Sequence, residues 1–267
     1  ILKDLNKSNI KATHSKVKGS VKIYSKGTSD EHQTQVRSCI DYIYQGEIFQ
    51  ANLSRLWRFK IENNLSDFDL YRQLRKKNPA PYAGLVKYKE SSIISSSPER
   101  LISILGDHLQ TRPIAGTRPR GGSALLDIEL SKELINSDKE KAEHLMLVDL
   151  ERNDISKVCE PGTVKVDEMM TIESYAHVHH IVSNISGKRR DNVKPGEIIK
   201  SVFPGGTITG CPKVRCMEIL GELEKVGRGP YTGSFGYVTH SGNMDINILI
   251  RSMLLENQNL FFRAGGG

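Results

Sequence analysis

Three glycine-bearing segments have the residue types to hold an anion. Arg112 to Gly121 (RPIAGTRPRG) follows a strand-like run and sets a glycine among arginine and threonine groups. Phe203 to Arg215 (FPGGTITGCPKVR) places three glycines and two threonines directly before a helical pattern. Arg263 to Gly267 (RAGGG) follows another strand-like run. Glycines before a helix let backbone N–H groups close on a negative group, and the helix N-terminus adds to the attraction. Each segment taken alone is equally a tight turn. The GxxxxGKS/T spacing of a nucleotide-binding P-loop is absent, which favours a carboxylate over a phosphate.

A second group of residues is acidic. The run EKAEHLMLVDLERND sets Glu140 and Glu143 three apart on one helix face, with Asp149, Glu151 and Asp154 farther along. Oxygen ligands without a His/Cys cluster suit Mg²⁺, which is held by one or two carboxylates and takes its other ligands from water and substrate. A solvated acidic helix fits the same residues, and Asp149, Arg152 and Asp154 fit an ion-pair and capping network. His177, His179 and His180 precede the apolar run IVS. Strand alternation puts His180 on the face opposite His179. They lack partners at metal-ligand spacing, so one histidine acting as general acid or base is the functional reading. A buried core histidine is the structural one.

The elements that would position these groups follow from periodicity and punctuation. Val36, Ile40 and Ile43 have helical spacing within Glu31 to Gln45, which Gly46 closes. IFQANLSRLWRFKI alternates like a strand, and SDFDLYRQLRKKN reads as a helix capped by Ser66 and ended before Pro79. YAGLVKY, SIISSS, RLISIL and HLQTRPI are short strand-like runs separated by turn residues, the punctuation of an antiparallel sheet. Leu126 to Leu150 is the longest helical stretch. TVKVDEMMTIESYAHVHHIVSNISGKR returns to strands, and two helices follow, begun by Pro195 and Pro212. The remainder reads as a strand, a turn at Ser241 to Asn243 and two more strands. One α+β domain dominated by antiparallel sheet, with helices packed outside, accounts for this order. Residues 1–30, polar and rich in Lys and Ser, read as a linker or the remnant of a missing N-terminal region.

Composition excludes several classes. The net charge is +7, yet the lysines are dispersed and the aromatics, 6% of the chain, do not interleave with them as a single-strand stacking surface would. Nucleic acid is therefore not an expected partner. No run reaches the roughly 18 apolar residues of a membrane span, and no secretory leader opens the chain. Cys39, Cys159, Cys211 and Cys216 match no zinc or CxxC spacing, so reduced thiols in a cytoplasmic protein are expected.

Taken in order, PIAGTRPRG, LMLVDLERND, AHVHHIVS, FPGGTITGCPKVR and GPYTGSFGY…GNMDINILIRS resemble the chorismate-utilising enzymes. That family includes anthranilate synthase component I, aminodeoxychorismate synthase component I, isochorismate synthase and salicylate synthase. The resemblance covers about residues 31–267 and implies the α+β chorismate-binding fold with large, sandwich-like antiparallel sheets. It implies Mg²⁺ at Glu143, with Glu140 as neighbour, bridging the ring carboxylate. Arg251 with Tyr231 or Tyr237, and the backbone of Gly265 to Gly267, would hold the other carboxylate. His180 would be the acid near the departing hydroxyl group, and Gly116, Thr117 and Thr207 would line the ring. Lys213 is a further candidate substrate contact.

The resemblance also bears on the reaction. Water-adding members carry a lysine base where this chain has Gln50, and a glutamine cannot deprotonate water. An aminating enzyme supplied with ammonia by a glutamine amidotransferase subunit is therefore expected. FQANLSR and GGTITGCPK resemble aminodeoxychorismate synthase. PIAGT, with Ala115 where some members have a nucleophilic lysine, also suits the anthranilate branch. Members of the family continue past the terminal glycines into a helix with further Mg²⁺ carboxylates. The chain is thus expected to be truncated at its C-terminus and to turn over chorismate poorly alone.

Overall fold

The computed structural model describes residues 20–26, 29–62 and 65–267. β1 (Ser20–Lys26) is followed by α1 (Ser29–Tyr44), β2 (Gln50–Ala51), β3 (Leu53–Glu62) and α2 (Asp67–Lys77). β4 (Tyr82–Tyr88), β5 (Ser91–Ser97), β6 (Arg100–Leu105), β7 (His108–Arg112) and β8 (Ile114–Pro119) come next. Two helices, α3 (Ala124–Asn136) and α4 (Asp138–Ser156), lead to β9 (Lys165–Ser174) and β10 (Val178–Lys188). α5 (Pro195–Val202), a 3-10 turn (Gly206–Ile208), β11 (Gly210–Cys211) and α6 (Lys213–Glu224) precede β12 (Gly236–Val238) and β13 (Met244–Asn247). β14 (Ser252–Glu256) and β15 (Asn259–Gly266) close the order. Among the described residues no helix is long and apolar enough to cross a membrane.

Two large antiparallel sheets carry the fold. The first runs β1-β3-β15-β14-β5-β4. The second runs β12-β13-β6-β7-β10-β8, with β9 on the other edge of β10. The chain passes from the first sheet to the second between β5 and β6, and back between β13 and β14. Those two connectors lie side by side: Ile248 N–H donates to Glu99 O (3.0 Å) and Ser96 N–H to Arg251 O (3.2 Å). Ser97 Oγ donates to Ile248 O at 2.5 Å. These bonds satisfy backbone groups that have left their ladders inside the protein, where an unpaired one would be costly. Ile102, Leu109, Ile155, Ile185, Ile198 and Met244, each almost fully buried, fill the space between the second sheet and the helices α4 and α5.

Several expectations are corrected. Residues 1–19 lie outside the described residues, but Ser20–Lys26, read as linker, pair with β3, and Ser29 and Asp30 already belong to α1. The long helical stretch is two helices broken at Ser137, whose side chain caps the second by accepting from Glu140 N–H at 3.4 Å. The arginine-rich segment after β7 is strand β8 rather than a loop, and three strands rather than two follow the Ser241–Asn243 turn. The N-cap at Ser66 is as expected, with a full capping box through Asp69.

A buried ion cluster ties α6 to both ends of this framework. Glu224 accepts from Ser54 N–H and Oγ (both 2.8 Å), from Arg228 Nη2 (2.7 Å) and from Arg263 Nη1 (3.4 Å). Arg228 also donates to Asn52 O (2.6 Å) and Ile208 O (2.9 Å), the latter in the 3-10 turn that carries Thr207. Removing the acid leaves two guanidinium groups without their counter-charge. Glu224→Gln should therefore lower unfolding stability by about 3 kcal/mol, measured by urea denaturation; a loss below about 1 kcal/mol would contradict this.

Candidate active site

The residues with chemistry gather where the two connectors meet the end of β10. Glu99, on the first connector, is 3% exposed. Its Oε1 accepts from Ile114 N–H at 3.3 Å, and the Thr207 hydroxyl stands beside it without a well-aligned hydrogen bond. Burial pushes its carboxyl up to about 7, against the opposing pull of Thr207, Ile114 and the Arg251 guanidinium. Arg251, on the second connector, is held with left-handed backbone (φ 50°). Its Nη2 lies 3.5 Å from His180 Nε2.

His180 is 3% exposed and sits where β10 pairs with β8, opposite Thr117. Thr117 Oγ1 is 2.9 Å from His180 Nδ1. Arg251 can only donate, so Nε2 accepts and the ring proton belongs on Nδ1. Burial, then the Arg251 charge, lowers the His180 pKa to about 4, so the ring is neutral near pH 7. A neutral imidazole orients and accepts hydrogen bonds but is a poor proton donor. Tyr175 meets the ring edge-on at 5.7 Å and donates to Glu173 at 2.6 Å. Arg112 in turn pairs with Glu173 at 2.5 Å.

Glu140 approaches from α4. Gly116 has φ 84°, and a Cβ there would lie 3.0 Å from Glu140 Oε2. The glycine thus serves close approach as much as backbone freedom. Glu140 pairs with Arg118 at 3.2 Å; Glu143 has Lys139 at 3.3 Å and is 25% exposed, so it keeps acceptor capacity. Among the described residues no three His, Cys, Asp or Glu side chains converge as a complete metal cage.

His180, Thr117, Gly116, Glu140, Arg251 and Thr207 therefore share one region. A second group forms at the end of β15. A Cβ on Gly265 would fall 2.3 Å from Asn52 Oδ1 and 2.6 Å from the Tyr231 hydroxyl, and one on Gly267 2.5 Å from Gln50 Nε2. Tyr231 is buried, which pushes its hydroxyl up to about 12. Gly266 pairs with Leu53, and Gln50 with Cys211. The β14–β15 register, Met253 opposite Phe262, puts Arg251 at the same end of the ribbon as Gly265.

Three candidates are not in these groups: Glu143, paired with Lys139 on α4, and two others. Tyr237 is 62% exposed on edge strand β12 opposite Asp245, where nothing buried could be gripped. Lys213 is turned to Asp154 and to Val202 O (3.2 Å), which makes it a structural cation. Asp154 is correspondingly not part of an Asp149–Arg152 network; only those two pair, at 3.3 Å. Sequence reading missed Glu99. The signal was a single acidic residue after Pro98, between a buried serine-rich strand and an apolar one, where a turn polar for solvation would need no buried carboxyl.

Residues 2–267 match the family described as chorismate binding enzyme. The chain is 47% identical over 89% of its length to an anthranilate synthase component I-like protein of Synechocystis sp., covering 49% of that protein. It is 46% identical over 90% of its length to aminodeoxychorismate synthase component 1 of Bacillus subtilis, covering 51% of it. The chain thus spans about half the length of these curated relatives. The crystal structure of anthranilate synthase component I from Streptococcus pneumoniae superposes with a TM-score of 0.86 at 34% identity, over 99% of this chain and 58% of that one. With its motifs, its two-sheet α+β fold and these relatives, the chain belongs to the chorismate binding enzyme family.

Proposed function

We propose that this chain aminates chorismate, using ammonia from a glutamine amidotransferase partner in the cytoplasm, to give 4-amino-4-deoxychorismate. The observation that carries the reading is Glu99: a buried carboxyl with a near-neutral pKa, beside the Arg251 cation. Arg251 grips one substrate carboxylate through its planar fork. Glu99, rather than the neutral His180, gives its proton to the departing 4-hydroxyl group, which leaves as water as the C–O bond breaks. The Ile114 N–H and the Arg251 charge stabilise the carboxylate that remains. Ammonia forms the new C–N bond, and the proton it sheds restores Glu99. His180 and Thr117 fix the orientation of the leaving group. Gln50 carries no base for water activation, which supports amination over hydration.

Glu143 and Glu140 fit Mg²⁺: both offer only oxygen, Glu143 has acceptor capacity to spare, and Gly116 keeps the approach to Glu140 open. The ion would supply Lewis-acid polarisation of the ring carboxylate. A second reading is anthranilate synthesis, in which ammonia enters at C2 and pyruvate is eliminated. Ala115, which offers no nucleophile, and the near-equal identity to relatives of both names favour keeping it.

Chorismate, Mg²⁺ and ammonium salt incubated with the protein should yield an aminated product that keeps its enolpyruvyl group by mass spectrometry. Anthranilate with pyruvate would establish the second reading, and no chorismate consumption would refute both. Glu99→Gln should lower kcat about 100-fold or more with KM little changed. In the unsubstituted enzyme kcat should fall as pH rises through about 7, because the raised carboxyl is protonated, and able to donate, only below that value. A Glu99→Gln enzyme retaining full turnover refutes the acid role. Glu143→Gln should abolish Mg²⁺-dependent turnover and weaken Mg²⁺ binding in calorimetry about tenfold or more; undiminished binding removes Glu143 from the ligand set.

A further inference from the structure

Glu151 is a second buried carboxyl that the reaction above does not use. It stands on α4, 8% exposed, and its Cγ lies 3.8 Å from where a Cβ on Gly206 would be, just before Thr207. Thr111 Oγ1 is 2.5 Å from Glu151 Oε2 and 3.0 Å from the Leu101 carbonyl oxygen. The β6–β7 register shifts between Arg100 and Ser103, so the ladder is broken around Leu101 and the Thr111 hydroxyl reaches its carbonyl instead. A hydroxyl has one proton and a carbonyl can only accept. The Thr111 hydroxyl donates to Glu151 Oε2, its shorter contact, and shares that proton with Leu101 O, so the buried carboxyl has one divided donor and no cation of its own.

The surrounding charges agree. Facing Glu151 are Asp154 from its own helix, Lys213 from α6 and Glu99 from the connector; β7 contributes only the uncharged Thr111. Lys213 is directly paired with Asp154, which also takes Lys157 at 2.9 Å. Glu99, in contrast, has the Ile114 N–H and the Arg251 charge. Of the two carboxyls, Glu99 is the better furnished for negative charge. Burial foremost, with the Glu99 and Asp154 charges adding, pushes Glu151 up to about 8 against the pull of the Thr111 hydrogen bond and the Lys213 charge.

We propose that Glu151 is a positioning residue for Glu99: a neutral carboxylic acid, hydrogen-bonded to Thr111, whose lack of charge leaves Glu99 free to release and regain its proton. The proposal rests on Glu99 as the general acid. An ionised Glu151 would repel the Glu99 carboxylate and make it hold its proton more tightly, so the two titrate as a coupled pair.

The test uses infrared spectroscopy and a pH–rate profile on the whole protein with chorismate, ammonium and Mg²⁺. Glu151→Gln keeps an acceptor oxygen toward Thr111 and should remove one protonated-carboxyl stretch at about pH 7. Its alkaline limb should move to lower pH by about half a unit, because no charge at 151 then raises the proton affinity of Glu99. Thr111→Val, which removes the hydrogen-bond donor, should shift that infrared band without abolishing it. An unchanged infrared spectrum in Glu151→Gln, or an alkaline limb superimposable on that of the unsubstituted enzyme, overturns the proposal. Full activity in Glu99→Gln refutes the acid role alone; the infrared result still reports the state of Glu151, so the two failures are read separately.

Discussion

The site depends on the crossing of two chain segments between the sheets. β5 must leave the first sheet to become β6, and β13 must leave the second to become β14. Each crossing strips backbone groups of their ladder partners inside the protein. Ser97 Oγ, the Ile248 N–H and the Ser96 N–H restore them by bonding the end of β5 and its connector to the second connector. That requirement brings Glu99 and Arg251, about 150 residues apart in sequence, to the same depth. Neither charge would be tolerated there alone, since an isolated buried ion is strongly disfavoured. Together they leave the carboxyl partly compensated, which is the condition for a pKa near neutrality rather than far above or below it.

The same burial acts with opposite sign on His180. Desolvation disfavours the charged form of any group, so it raises a carboxyl and lowers an imidazole. Arg251 acts on both in one direction: a cation favours ionised Glu99 and disfavours protonated His180, so it holds Glu99 near neutrality and takes His180 further down. Burial, not the guanidinium, therefore separates the proton affinities of the two groups and leaves Glu99 as the one able to serve as an acid near pH 7. Two titratable groups driven apart by a shared environment are the arrangement that divides acid and base roles within a site.

The sequence made local decisions legible and long-range ones opaque. Ser66 with Asp69, and Pro195 at a helix start, act within one turn, and the structure has both where the spacing put them. The break at Ser137 was within reach: Ser137 followed by Glu140 has the serine-to-acid spacing of a helix start, and Asn136 and Asp138 beside it are weak helix formers, but helical patterns on both sides ran together. β8 was misread because glycine and three arginines suggest a loop, whereas pairing with the buried β10 makes Ile114–Pro119 a strand. Lys213 and Tyr237 carried plausible chemistry by type, but their surroundings assign one to Asp154 and the other to solvent. Glu99 had no spacing to announce it, because its role arises only from what the second connector brings beside it.

Gly116 shows how motif and geometry differ as explanations. As part of a glycine-bearing segment it suggested backbone amides turned toward an anion. In the fold it lies within a strand at φ 84°, and what matters is the missing side chain: a Cβ would press on Glu140 Oε2, Leu134 and Ile181 together. The absence lets α4 sit close enough to β8 for an acidic side chain to reach the strand that carries Thr117. Thr117 in turn holds the Nδ1 side of His180, while Arg251 holds the other. A vacancy of one methyl group thus lets Glu140 reach the strand whose Thr117 meets His180, and the chemistry of the site follows from that spacing rather than from any single motif.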